Sequence, residues 1–222
     1  MLILKSQHFN DEELINYAAT LSTNSGSLEE KLLHWEFGPL MHMNYEKDAQ
    51  NYLFSDEKVP LHWDGAFHKE PRLLLFYCTE SDGAGGETLF VNTEKVWDDL
   101  TAKDKNICNG ITLTYKTQKL AHYGGEIRIP LVQKHPLSGK SILRLAEKVE
   151  TNLNPVQLII DGIHDASSFY DGLVKKFYQD AYLYSHQWEV GDLLICDNFT
   201  YLHGRKALGE NRKRKFKRIQ IL

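Results

Sequence analysis

Short apolar runs punctuated by turn residues dominate the chain beyond residue 70. LLLFYCT (73–79), ETLFVN (87–92), ITLTYKT (111–117), EIRIPLVQ (126–133), SILRLA (141–146), YLYSHQW (182–188), DLLICDN (192–198) and RKFKRIQIL (214–222) are rich in β-branched and aromatic residues. Turns such as SDGAGG and HPLSGK separate them, so each reads as a strand. Helical signals are fewer and cluster early. Asn10 with Glu13, and Ser27 with Glu30, have capping-box spacing ahead of LINYAATL and KLLHW. NTEKVWDDLTAKDKN (92–106) opens on a capping residue and keeps helical spacing. In DASSFYDGLVKKFYQ (165–179), Phe169, Leu173 and Phe177 fall at i, i+4 and i+8. Many short strands with few helices predict a mainly β fold with flanking helices, built on a jelly-roll core rather than βαβ repeats. No internal repeat, low-complexity segment or linker divides the sequence, so residues 1–222 are expected to form one domain.

Composition narrows the class without naming a function. Apolar residues make up 42% and charged residues 25%, ordinary for a globular chain with a sizeable core. A net charge of −4 and a pI near 6.2 provide no basic field that would call for nucleic acid. The longest apolar runs are strand-length, too short to span a bilayer. MLILKSQHFNDEEL has neither a basic leader nor an extended apolar segment, so no secretory signal is expected. Cys78, Cys108 and Cys196 are far apart and odd in number. They argue against a disulfide framework or a cysteine zinc site, and for packing roles in a reducing cytoplasm.

Chemistry concentrates first in PLHWDGAFHKEP (60–71), which contains His62-x-Asp64. On a strand, residues i and i+2 share a face, which would aim an imidazole and a carboxylate at one point. Two readings stand here: a histidine–carboxylate hydrogen bond at a strand end, or two-thirds of a two-histidine, one-carboxylate iron site awaiting a distant histidine. WEVGDLLICDNFTYLHGRKAL offers that partner, a strand ending at His203 before Gly204. In the last segment, alternation puts Arg214, Phe216, Arg218 and Gln220 on one face. Two arginines on one face suit a carboxylate clamp; the competing reading is a solvated basic patch.

HWD (62–64), GGETLF (85–90), the GD…DN…LHGR run ending at 205 and the R-x-F-x-R strand at 214–218 occur in the order seen in the Fe(II)/2-oxoglutarate-dependent dioxygenases of the TauD/TfdA family. From about residue 35 onward the chain resembles that family, whose core is a double-stranded β-helix. The resemblance implies that His62, Asp64 and His203 bind Fe(II), and that Thr88 and Arg214 hold 2-oxoglutarate, with O₂ as the second cosubstrate. It implies that Arg218 meets a substrate carboxylate or supports the site. VPLHWDGAFHKEPRLLLFYC, KLAHYGGEIRIPLVQKHP and the ending KRIQIL are similar to the PvcB group, which desaturates isonitrile derivatives of aromatic amino acids, with or without decarboxylation. The chain is shorter than that group, with a reduced N-terminal region.

Several residues keep a second reading. His122 and Tyr123 in AHYGGE are expected either to line a substrate pocket or to form an ordinary turn. His68 is placed in a loop near the site rather than among the ligands, and Trp35, Trp63, Trp97 and Trp188 are assigned to the core. Two rival functions stand beside the leading one. One is the same iron centre hydroxylating another amino acid or a sulfonate. The other is a non-catalytic barrel whose basic end holds an anion or RNA. The expected partner is a small carboxylate, with no nucleic acid and no membrane; oligomeric state is not readable.

Overall fold

The computed structural model describes residues 1–49, 51, 53–81, 85–118, 124–149, 153, 155–209 and 214–222. In chain order the elements are β1 (Leu2–Leu4), α1 (Asp11–Thr20), α2 (Leu28–Lys31), β2 (Leu40–Asn44), β3 (Val59–His62), β4 (Leu73–Ser81) and β5 (Thr88–Asn92). There follow α3 (Thr93–Asp98), α4 (Ala102–Asn109), β6 (Thr112–Thr117), β7 (Gly125–Pro130), β8 (Val132–Lys134), β9 (Ser141–Leu143) and β10 (Gln157–Asp161). The chain ends with α5 (Ala166–Phe177), β11 (Leu183–His186), β12 (Leu193–Asp197), β13 (Tyr201–Arg205) and β14 (Arg214–Ile221).

Two antiparallel sheets form the centre, one ordered β1-β12-β4-β14-β2 and the other β11-β5-β13-β3. Their facing sides enclose Leu74, Phe76, Cys78, Phe90, Trp188, Leu194, Cys196 and Phe216. The outer side of the first sheet, Leu75, Tyr77, Leu193, Ile195, Ile219 and Ile221, packs on α1 through Leu14, Ala18 and Ala19. The outer side of the second sheet, Leu61, Leu89, Val91 and Leu202, packs under α3, α5 and β6. Central strands thus lose water on both faces, which is why LLLFYC and DLLIC read as continuous rather than alternating apolar runs. Each fully buried Leu or Ile in them contributes about 1.5–3 kcal/mol of hydrophobic stabilisation.

Most predicted elements are present, with instructive departures. The Asn10–Glu13 box forms as read: the Asn10 side chain accepts from the Glu13 N–H and the Glu13 carboxylate accepts from the Asn10 N–H, both at 2.9 Å. The helix expected over 92–106 is instead α3 and α4, because Thr101 restarts it by accepting from the Asp104 N–H. KLLHW does not continue α2: Leu32 bridges Ile221 and the Leu33 N–H donates to Gln220 O, drawing the backbone into the sheet. The 126–133 run breaks at Leu131, whose N–H turns to Ile111 O, and only Ser141–Leu143 of 141–146 pairs. α5 buries Ala166, Tyr170, Leu173 and Phe177, leaving Phe169 at the edge of the stripe. Strands β1, β2 and β10 have no counterpart among the predicted runs, and β3 stops short of the strand expected to carry both His62 and Asp64. β3 carries Pro60 at the edge of its sheet, where a missing N–H is tolerated. Cys78, Cys108 and Cys196 are free and buried, as expected for packing residues. Among the described residues no helix is long and apolar enough to cross a membrane.

Candidate metal centre

β3 and β13 are antiparallel neighbours, and His62 and His203 are direct register partners. Their rings lie 4.3 Å apart at 45°. Gly204 permits this approach, since a Cβ there would sit 2.7 Å from Val59 O. β13 runs on to Arg205, so the expectation that the strand ends at His203 is corrected. So is the shared-face argument for His62 and Asp64: β3 stops at His62, and Asp64 lies beyond it in a turn. Asn198 makes that turn reproducible. It is fully buried, accepts from the Asp64 N–H at 2.9 Å, and donates to Asp64 O at 3.0 Å and Pro71 O at 2.9 Å. Gly65 follows with φ +89, and a Cβ there would collide with Glu70 backbone at 2.6 Å.

The three side chains converge. Asp64 Oδ1 is 3.6 Å from His62 Nε2 and 3.7 Å from His203 Nε2, and ligand atoms of all three lie within 4.8 Å of one another. These separations are too long for good hydrogen bonds, so lone-pair-bearing atoms face one another without satisfying one another. A carbonyl can only accept, so the 2.8 Å contact of His62 Nδ1 with Pro60 O puts the proton on Nδ1 and turns the Nε2 lone pair inward. His203 is held neutral: burial, then the facing His62, push its pKa down to about 3. Burial alone would raise Asp64, but the Arg218 guanidinium beside it outweighs that and holds the carboxyl well below the usual range. Two neutral imidazoles and one carboxylate, in a pocket that keeps the carboxylate charged, fit a divalent first-row ion such as Fe(II).

The other sheet braces this cluster from β14. Arg218 Nη1 lies 3.2 Å from Asp64 Oδ2, and Gln220 Nε2 donates to the same oxygen at 2.6 Å. Oδ2 is thereby anchored and Oδ1 is offered to the imidazoles. Arg218, for which two roles are expected, contacts Asp64 and also lines the adjoining cavity. The inward face read for β14 is correct: Phe216, Arg218 and Gln220 are buried, and Arg214 is partly so.

Farther along that face lies a cationic corner. Arg214 Nε donates to Gly86 O at 3.1 Å and Nη2 to Thr88 Oγ1 at 3.2 Å, while its guanidinium carbon stands 3.9 Å from the Phe216 ring centroid. Burial, with Arg205 nearby, pushes its pKa down to about 9. Among the described residues no carboxylate pairs with it. Thr88 Oγ1 also accepts from Trp188 Nε1 at 2.8 Å. With both acceptor positions used, the hydroxyl hydrogen is left to donate outward. His203 pairs with Phe90 and Arg205 with Thr88, so Thr88 is a diagonal neighbour of His203, roughly 7–8 Å along the shared face.

A cavity of about 350 Å³ opens beside the cluster. His62, Asp64, Arg218 and Gln220 form one part of its lining, and Trp35, Phe37, Phe54, Trp63, Phe67 and Tyr115 supply an aromatic wall, with Met41 beside it. Trp35 is therefore a cavity residue, which corrects its assignment to the core; Trp188 is core, and Trp63 is both. His68 sits in the turn after Asp64, its N–H on Gly65 O, and lines the cavity without joining the ligand cluster. His122 and Tyr123 lie outside the described residues. Asn198, Gln220 and Trp35 were missed as site residues. Asn198 carried a local signal in the polar pair Asp197–Asn198 closing an apolar strand, and Gln220 in its place on the same face as Arg214 and Arg218.

Comparison with known proteins agrees with this geometry. The family model for taurine catabolism dioxygenase TauD, TfdA family, matches residues 1–220. The 3-((Z)-2-isocyanoethenyl)-1H-indole synthase of Fischerella ambigua is 38% identical over 200 residues, 86% of this chain and 73% of that protein. The tyrosine isonitrile desaturase of Pseudomonas aeruginosa is 30% identical over 200 residues, 86% of this chain and 68% of that one. The solved structure of PvcB, an Fe, α-ketoglutarate-dependent oxygenase from an isonitrile synthetic pathway, superposes with a TM-score of 0.74 at 25% identity, covering 96% of this chain and 71% of PvcB. The chain belongs to the TauD/TfdA family of dioxygenases.

Proposed function

We propose that this protein is an Fe(II)/2-oxoglutarate-dependent dioxygenase that desaturates an isonitrile derivative of an aromatic amino acid, and that residues 1–222 form one dioxygenase domain. The two stacked sheets are read as the halves of a double-stranded β-helix. One observation carries the proposal: His62, Asp64 and His203 present their ligand atoms to one another within 4.8 Å, and His62 and Asp64 line an aromatic cavity. The relatives that act on tyrosine isonitrile, or make an isocyanoethenyl indole, support the substrate class.

His62, Asp64 and His203 would hold the iron. With 2-oxoglutarate and O₂, bound iron supplies the oxidising power to remove hydrogen from a substrate C–H bond, while 2-oxoglutarate becomes succinate and CO₂. The protein's residues do the rest. Arg214 and Thr88 grip the distal carboxylate of 2-oxoglutarate with charge-assisted hydrogen bonds. Asn198, Arg218 and Gln220 keep the Asp64 carboxylate charged and oriented. The aromatic wall admits a flat side chain and excludes water, so that the reacting carbon is held close to the centre. Desaturation removes two hydrogens from the substrate; loss of one hydrogen together with CO₂ gives the decarboxylated alkene.

The basic-tail alternative loses its footing in β14, where Arg214 and Arg218 face inward and Lys217 pairs with Asp11. The test is a panel of aromatic isonitrile acids, with O₂ uptake and succinate formation measured against alkene product. Turnover confined to another acid would retire the substrate assignment. Absence of any 2-oxoglutarate-dependent turnover would retire the enzyme assignment.

A further inference from the structure

We propose that Gln220 is a positioning residue for the Asp64 carboxylate, and that through Trp35 it ties this iron ligand to the wall of the substrate cavity; the inference rests on the iron-centre reading above. Gln220 is 4% exposed on the inward face of β14. Its Nε2 donates to Asp64 Oδ2 at 2.6 Å, and its Oε1 accepts from Trp35 Nε1 at 3.1 Å. The chemistry of the neighbours fixes the amide. An indole N–H can only donate and a carboxylate can only accept, so the carbonyl must face Trp35 and the NH₂ must face Asp64. A glutamate would place a second anion against Asp64, and an apolar side chain would orphan both partners. Among neutral side chains of this length, only an amide joins such a pair.

The main chain repeats the link. Leu33 N–H donates to Gln220 O at 2.8 Å, and the following turn closes through Trp35 N to Gly38 O and Gly38 N to Trp35 O, both 3.0 Å. Leu33, Trp35 and Phe37 of this segment all line the cavity. The segment that touches a cavity occupant therefore hangs on Gln220 by backbone and side chain together. Arg218 lends charge to the same carboxylate, but its Nη1 lies within 3.5 Å of Oδ1 as well as 3.2 Å from Oδ2. Gln220 contacts Oδ2 alone, and so selects which oxygen faces the imidazoles.

The test uses Co(II) as a spectroscopic probe on the full chain, comparing wild type, Gln220→Met and Trp35→Phe. Methionine preserves volume but removes the donor, and phenylalanine keeps a ring but removes the indole N–H. Gln220→Met is expected to weaken Co(II) binding about 10- to 100-fold and to alter the visible ligand-field spectrum. Trp35→Phe is expected to weaken it roughly fivefold with a spectral change of the same sense, the effect of losing one hydrogen bond. Metal-free melting temperatures serve as the folding control, and Trp35→Phe decides the matter if Gln220→Met fails to fold. Wild-type affinity with an unchanged spectrum in the folded variants overturns the positioning role while leaving the iron centre intact. Failure of wild type itself to bind Co(II) overturns the iron-centre reading, and this inference falls with it.

Discussion

Replacing Arg214 with methionine should separate cosubstrate binding from folding. A guanidinium carries five N–H donors, of which Arg214 uses one on Gly86 O and one on Thr88 Oγ1, leaving three for an incoming anion. Hydrogen bonds to a charged partner are worth about 1.5–3 kcal/mol each. A two-pronged grip on a carboxylate, less the cost of fixing it, thus amounts to about 2–4 kcal/mol. At 1.4 kcal/mol per decade, the dissociation constant for 2-oxoglutarate should rise roughly 30- to 1,000-fold. Stability should barely move. Removing a partly buried cation that has no acidic partner among the described residues relieves desolvation, which offsets the donor lost by Gly86 O, and Thr88 keeps its bond from Trp188. Arg214→Lys, which keeps charge but not the planar fork, should fall between the two. Anaerobic titration of the Fe(II) protein with 2-oxoglutarate, followed by the visible charge-transfer band, measures the affinity directly. A folded methionine variant that saturates within threefold of the wild-type concentration would refute the assignment of this corner to the cosubstrate.

Three further outcomes are expected. His62→Ala, Asp64→Ala and His203→Ala should each abolish succinate formation and the anaerobic charge-transfer band; robust substrate-dependent turnover in any one removes that residue from the ligand set. Glu70→Leu should destabilise the fold, because fully buried Arg144, stacked 5.0 Å from both Trp63 and Phe199, has Glu70 as its carboxylate partner at 3.0 Å. That contact is electrostatic rather than a well-aligned hydrogen bond, and Glu70 is 37% exposed, so the cost is put at roughly 2–3 kcal/mol, or about 5–10 °C in melting temperature. Acidification should unsettle buried His186: burial outweighs the pull of Asp192 and holds its pKa below the ordinary 6.5. The unfolded chain then binds the extra proton first, so this contribution is intact above about pH 6.5 and is lost as pH falls below it. Urea midpoints at pH 7.5 and 5.5 should show a smaller drop for His186→Gln than for wild type, and equal drops would contradict the sign.

What the sequence made legible, and what it withheld, follows from what periodicity encodes. Apolar runs and side-chain alternation say which residues leave water together, and so the strands around LLLFYC and DLLIC, and the inward face of β14, could be read directly. Alternation says nothing about which strands pair. β3, short and opened by Val59–Pro60, is held by long-range pairing with β13, so a strand at His62 is legible but not where it ends. Asp64 shows the same limit from the other side. Alternation along a strand would aim it at His62's side, whereas the carboxylate is aimed by a turn that Asn198 clamps from far along the chain. Arg214 and Arg218 make the point most sharply. They are the same residue type, four apart on one strand and one face, and no property of β14 tells them apart. Asp64 does: the nearer arginine meets a carboxylate the protein already owns, and the farther one, beside Thr88, has none among the described residues and is the one proposed to take the cosubstrate's.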